Sequence, residues 1–301
     1  MTYVFRSPRP DDAPALAELR RAAELADFGE AEDRSDYLQH LLARLDVRDG
    51  WLAEDGDGRI AAAGFVRIRH PTRLRSYGDV HPEHRGRGLG GELLRRILAR
   101  ARELGDGEDV VLGHSIAPTN RAAKELLERN GFELVRHFWK MGIELDDETP
   151  APAWPQGIRL ETLRPGRERE VFEATEEAFR DHWDHTPHDY EEWRSFMVER
   201  RGFDPSLWLL ARDGGELAGF SLCNLDAQEG WVGVLGVRRP WRRRGLGRAL
   251  LLESFRVLRE RGMPRAVLGV DAANPTGATA LYEGAGMRVL RQEDAYWRRL
   301  T

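Results

Sequence analysis

A single cysteine, Cys223, in 301 residues excludes an intramolecular disulfide framework and any cysteine-built metal site. No stretch approaches the roughly 18 consecutive apolar residues that a membrane helix needs. The N-terminal MTYVFRSPRPDDAP turns charged without an apolar signal core, so a cytoplasmic protein that does not engage a membrane is expected. Lysine is nearly missing: of 46 basic residues only Lys124 and Lys140 are lysines. The 51 acidic residues outnumber the basic ones and leave a net charge of −5, so no global positive field recruits nucleic acid. What is present, 41% hydrophobic and 32% charged residues, suits a globular chain rather than a disordered one. At ~100–200 residues per domain, the length argues for two domains.

The two domains read as one unit written twice. HPEHRGRGLGGELL (His81 to Leu94) matches RRPWRRRGLGRALL (Arg238 to Leu251), which sets Arg85 against Arg242. Upstream, WLAEDGDGRIAAAGF from Trp51 resembles WLLARDGGELAGF from Trp208, and downstream NRAAKELLERNGF from Asn120 resembles NPTGATALYEGAGM from Asn274. Three matched blocks in the same order mark an internal repeat. The intervening DDETPAPAWPQG reads as a linker, giving domains at 1–145 and 158–301 with a linker at 146–157.

Within the second copy, Trp208 to Ala211 and Leu217 to Leu222 flank Asp213-Gly214-Gly215 and predict a hairpin. Gly230 to Val237 predicts a strand, and Leu246, Leu250, Leu251, Phe255 and Leu258 recur at helical spacing. Arg265 to Val270 predicts another strand, and Thr276 to Glu283 a short helix ended by Gly284 and Gly286. This is an α/β layout with a mixed, partly parallel sheet flanked by helices, in which ligands favour the strand carboxyl ends. Arg242-Arg243-Arg244-Gly245-Leu246-Gly247 then falls between a strand and a helix start. Unpaired N–H groups there, approachable because of the glycines, suit a pyrophosphate. The loop lacks the Gly-Lys-Ser/Thr ending of a nucleoside-triphosphate loop and the spacing of a dinucleotide fingerprint. An arginine-rich solvated surface is the plain alternative, and the cluster is too short to argue for nucleic acid.

Arg-x-x-Gly-x-Gly after a strand ending in Val, followed by a strand and Asn…Leu-Tyr-Glu…Gly, resembles the GNAT superfamily of acetyl-CoA-dependent N-acetyltransferases. The pattern occurs twice and covers most of the chain, an organisation similar to that of mycothiol synthase-like actinobacterial proteins. The resemblance implies that backbone groups of Leu235, Gly236 and Val237 align the pantetheine arm and acetyl carbonyl of acetyl-CoA. It further implies that Arg242, Arg243, Arg244, Gly245, Leu246, Gly247 and Arg248 hold the pyrophosphate, and that Asn274 with Thr276, Gly277 and Ala278 lines the lower channel. Tyr282 would aim its hydroxyl at the thioester sulfur and protonate the departing thiolate. In the first copy Arg85, Gly86, Arg87, Gly88, Leu89 and Gly90 repeat the phosphate loop, but Leu127 stands where Tyr282 would be, and leucine donates no proton. CoA binding without catalysis is expected there. The alternative is turnover through water or another donor, Tyr77 being the only nearby phenol.

A base must also take a proton from the amine. Counting back by twos from Val237 puts Leu235, Gly233, Trp231 and Glu229 on one strand face and makes Glu229 the first choice, with Asp226 and Asp271 in reserve. Trp231 falls near where mycothiol synthase is expected to carry its acid, a departure from that enzyme's pattern. AFRDHWDHTPHDYEEW from Ala178 covers the region that shapes the acceptor pocket in this superfamily. Asp181, His182, Trp183 and Asp184 are its candidates for contacting a cationic acceptor, and a mobile lid is the plain alternative. His182, His185 and His188 invite a metal reading, but Pro187 interrupts the helix that would align them, and no metal is expected. Cys223, in an apolar run, reads as core. The expected activity is direct acetyl transfer from acetyl-CoA to a primary amine of a small molecule in the C-terminal domain, by a monomer or homodimer. A CoA-binding regulatory or scaffold protein without turnover is the alternative.

Overall fold

The computed structural model describes residues 2–32, 35–105, 109–146, 149–200, 202–226, 228–274 and 276–300. In chain order the elements are β1 (Val4–Arg6), α1 (Ala13–Phe28), α2 (Ser35–Leu42), β2 (Gly50–Glu54), β3 (Ile60–His70), β4 (Arg73–Val80), α3 (Leu89–Leu104), β5 (Val111–Ile116), α4 (Arg121–Arg129) and β6 (Glu133–Glu144). The same order returns as β7 (Ile158–Thr162), α5 (Glu168–Phe179), α6 (Tyr190–Met197), β8 (Trp208–Asp213), β9 (Glu216–Leu225), β10 (Gly230–Val237), α7 (Leu246–Glu260), β11 (Arg265–Asp271), α8 (Ala278–Gly284) and β12 (Arg288–Arg299).

Contacts divide the chain into two compact units, Met1–Phe138 with Gln292–Thr301, and Trp139–Arg291. In the first, β1, β2, β3 and β4 run antiparallel and β4 pairs parallel with β5. In the second, β7 to β10 are antiparallel and β10 pairs parallel with β11. The division departs from the boundaries at 145 and 158, because it falls inside two strands. Residues Asp294 to Arg299 of β12 pair with β5 in the first unit, while β6 neighbours β11 in the sheet order. An edge strand needs a partner, and either copy's last strand satisfies that need. The 146–157 segment carries no helix or strand among its described residues.

Local sequence accounts for the scaffold. The β8–β9 hairpin closes at Gly214 and Gly215, with Asp213 opposite Glu216 and Gly214 at φ 59°, a conformation glycine adopts without strain. In α7 the periodic residues Leu246, Leu250, Leu251, Phe255 and Leu258 are all buried and pack on β10 and β11. Truncating a buried phenylalanine such as Phe255 costs about 3–5 kcal/mol, so this helix face anchors the sheet that carries the site. Ser221 and Ser254 satisfy each other inside this core at 2.7 Å, and Ser254 also donates to the Leu250 carbonyl. Cys223 is buried beside them and burial pushes its thiol pKa up, which keeps it out of nucleophilic chemistry. Among the described residues no helix is long and apolar enough to cross a membrane.

Candidate active site

In the second unit β10 and β11 pair only at Gly230 with Ala266 and Trp231 with Val267. Beyond that point the strands part, while β10 stays paired with β9 as far as Val237. The parting opens a cleft toward the carboxyl ends, where β10 runs into the loop before α7. The loop needs left-handed backbone at two positions: Gly245 has φ 82° and Arg243 φ 63°. In the first unit the corresponding residues are Gly88 at 84° and Gly86 at 76°. Arg243 therefore accepts a conformation that costs a non-glycine residue about 1–2 kcal/mol, which shows how strictly the loop geometry is imposed. The first bond inside α7 runs from Ala249 N–H to the Gly245 carbonyl, so the amides at the loop's end point out of the helix start.

The loop arginines divide into two groups. Arg242 donates to the Val237 and Ala178 carbonyls at 3.0 Å each, and Arg239 donates to both carboxylate oxygens of Asp181 at 2.6 Å. Arg85 likewise grips Asp27 at 2.7 and 2.9 Å. These side chains staple the loop to the end of the first helix of their unit, so the Arg85 and Arg242 guanidiniums are already engaged within the protein. Asp181, one of the acceptor candidates, is the carboxylate that anchors this loop. Arg244 lies 3.7 Å from Asp213. Arg243 and Arg248 are exposed and form no ion pair among the described residues.

On the far side of the cleft, Asn274 accepts from Thr276 N–H and hydroxyl at 2.8 and 2.6 Å, bracing the turn that Gly277 (φ 79°) hands to α8. Tyr282 is 8% exposed and lies in one apolar cluster with Leu268, Val270 and Met287, against which Leu235 packs. Burial pushes its phenol up to about 12, so it stays protonated throughout the neutral range. The pairing of Tyr282 with Leu127 holds in space. A Cβ on Gly247 would meet Leu281, and one on Gly90 would meet Leu126. Met287 N–H bonds the Tyr282 carbonyl as Phe132 N–H bonds that of Leu127.

Glu229 is not part of this cleft. It precedes β10, where its carboxylate accepts from Lys140 at 2.7 Å and lies 3.6 Å from Arg265. At about 3.3 Å per residue it is about 20 Å along the strand from Leu235. The count by twos fails because the register shifts between Val232 and Val234, leaving Gly233 as an extra residue. Trp231 opposite Asn224 therefore shares a face with Val234 and Gly236, whereas Leu235 opposite Ser221 does not. Glu229→Gln should leave kcat within about twofold while costing about 3 kcal/mol of stability, because Lys140 loses its buried counter-charge. A hundredfold fall in kcat at unchanged stability would return Glu229 to the chemistry.

Among the acceptor candidates, His182 is half-buried, its ring 4.3 Å from that of Phe179. Burial, then Arg242 and His185, lower its pKa, while Asp271 and Asp181 act in the opposite sense. It thus stands near the loop after β10 and the end of β11. Trp183 is half-buried and Asp184 has φ 54°. His185 and His188 both turn to Glu176, at 3.4 and 2.9 Å. Among the described residues the one metal-like grouping is His81, Glu83 and His84, outside that segment.

The first unit holds what the sequence did not reveal. A cavity of about 660 Å³ lies between β4, β5 and the Arg85–Gly90 loop, walled by Arg20, Asp79, His114, Leu94, Ile97 and Leu126 among others. Arg20 donates to Asp79 at 3.0 Å and lies 3.2 Å from Glu24. His114 is buried and pushed down to about 4, chiefly by desolvation. Between pH 6.5 and 4 the unfolded chain takes up a proton here that the folded chain refuses, so stability falls with acidification. From pH 7 to 4 the protein should lose about 3 kcal/mol more than His114→Gln, measured by urea midpoints. Equal losses would contradict the burial argument. A histidine inside VLGHSI and a serine in β4 were the available signals, but nothing local joins them.

A splayed parallel pair ending in a glycine-rich, arginine-flanked helix start, built twice, is an arrangement suited to an anionic ligand. Residues 169–287 match the model of the acetyltransferase (GNAT) family, and residues 47–134 that of an acetyltransferase (GNAT) domain. The chain is 39% identical over 286 residues to the mycothiol acetyltransferase of Thermobispora bispora, covering 92% of each chain. It is 32% identical over 302 residues to that of Catenulispora acidiphila, covering 94% of each. A GCN5-related N-acetyltransferase from Sphaerobacter thermophilus aligns with TM-score 0.84 and 38% identity over 99% of this chain and 96% of that one. The tandem GNAT protein of the clavulanic acid pathway shares the fold, with TM-score 0.79 and 18% identity over 100% and 99% of the two chains. The chain belongs to the GNAT acetyltransferase family, as a tandem-domain N-acetyltransferase.

Proposed function

We propose that this protein transfers the acetyl group of acetyl-CoA directly to the primary amine of a small molecule, with catalysis in the C-terminal unit. The observation that carries the reading is Tyr282: a phenol held in its acid form beside the cleft of the one unit that has it. Amides at the start of α7, with Arg243 and Arg248, would take the pyrophosphate, and the backbone of Leu235, Gly236 and Val237 the pantetheine and acetyl carbonyl. The amine nitrogen attacks the thioester carbon, and Tyr282 protonates the departing thiolate. With Glu229 removed, His182 near Asp271 is the base this reading favours. Relatives named mycothiol acetyltransferase make the amine of a mycothiol precursor the first acceptor to assay. The test is thiol release from acetyl-CoA with a panel of small alkylamines and isolation of the N-acetyl product. No product with any acceptor would favour a CoA-binding protein without turnover.

A further inference from the structure

The cavity of the first unit has no part in that reaction. β4 and β5 pair from Arg73 with Val111 to Ser76 with His114 and then separate. At the parting point Ser76 Oγ donates to the Gly113 carbonyl at 3.0 Å and lies 2.8 Å from His114 Nδ1. A hydroxyl has one proton and a carbonyl can only accept, so both contacts are satisfied when His114 donates at Nδ1 and its Nε2 carries a lone pair. Nε2 has no hydrogen-bond partner among the described residues, and His114 lines the cavity. Matching the strand pairings of the two units sets Ser76 against Val232 and His114 against Leu268, so the second unit has no such pair. The imidazole also lies at the right backbone: a Cβ on Gly78 would sit 3.5 Å from His114 Cε1. Gly78 is the counterpart of Leu235, whose backbone the reading above assigns to the acetyl carbonyl.

We propose that the first unit is a second acyl-transfer centre, in which His114 Nε2 is the general base for attack of a small, weakly basic amine, such as an arylamine or hydrazide, on acetyl-CoA held at the Arg85–Gly90 loop. The amine nitrogen bonds to the acetyl carbon, the carbon–sulfur bond breaks, and the N–H proton passes to Nε2. The imidazolium then returns that proton to the CoA thiolate, which regenerates the base without a phenol at Leu127. Desolvation keeps His114 neutral, with Arg20 and Asp79 acting on it in opposite senses. So weak a base cannot strip an alkylammonium, with its pKa of about 10, but it can accept the proton of an adduct formed from an amine that arrives neutral. Among the residues lining the cavity, Leu93, Leu94, Ile97 and Ile116 supply an apolar wall that suits the same class.

The experiment uses the full chain with Gly245→Glu, and separately Tyr282→Phe, to remove C-terminal turnover. Aniline and benzhydrazide are the acceptors, acetyl-CoA is the donor, and calorimetry counts bound acetyl-CoA. Thiol release with these acceptors should persist in both backgrounds. Adding His114→Asn, whose amide can replace Nδ1–H on Ser76 while removing Nε2, should lower it about 10²-fold or more at unchanged acetyl-CoA stoichiometry. Absence of arylamine turnover in both backgrounds, or turnover indifferent to His114→Asn, overturns the inference and leaves the C-terminal reading untouched. Failure of that reading shows separately, as alkylamine turnover that survives Tyr282→Phe.

Discussion

Tyr282→Phe should lower kcat for alkylamine acetylation by about 10²–10⁴-fold, the usual contribution of a positioned proton donor. The ring stays, so its packing with Leu268, Val270 and Met287 is kept and the melting temperature should change little. Acetyl-CoA affinity should also hold, because the hydroxyl acts only as the thiolate develops. Since burial holds the phenol near 12, ionisation of Tyr282 should not limit the rate below about pH 10. Equal kcat in wild type and variant would remove Tyr282 from the mechanism.

Gly236→Ala should be the most disruptive single-methyl change in the cleft. A Cβ there would stand 2.3 Å from Phe220 Cζ and 2.7 Å from Cε2, and Phe220 is fully buried. The phenyl ring cannot yield without moving β9, so a cost of about 1–3 kcal/mol or more is expected. The displaced β10 backbone should also weaken acetyl-CoA binding. Shrinking the obstacle is the check: Phe220→Leu combined with Gly236→Ala should be more stable than the sum of the single changes, by about 1 kcal/mol or more in a double-mutant cycle of urea midpoints. Strict additivity would mean that the two positions do not collide.

The features legible in the sequence were those written locally. The Gly214-Gly215 turn, the apolar face of α7 and the two glycine-rich loops before α3 and α7 follow from turn chemistry, helical period and repetition, and each appears where its residues stand. Errors arose where an outcome depended on a distant partner. Glu229 was misplaced because one bulged glycine, Gly233, reverses the parity of a strand. Asp181 and Arg242 hold structural bonds that their local sequence does not announce, because Arg239 and the Ala178 carbonyl reach them across the unit. The exchange of strand ends between copies is equally invisible, since β6 and β12 offer similar edges to β5 and β11. His114 needed Ser76 beside it, 38 residues away in sequence.

The central claim is that alkylamine acetylation belongs to the C-terminal unit, and calorimetry with thiol release on wild type, Gly88→Glu and Gly245→Glu tests it most directly. Each glycine sits at positive φ at a helix start, where a glutamate both strains the loop and repels a pyrophosphate. Each variant should bind one equivalent of acetyl-CoA fewer than wild type, and only Gly245→Glu should lose alkylamine turnover. Turnover that survives Gly245→Glu but disappears with Gly88→Glu would contradict the account and move the chemistry to the other unit.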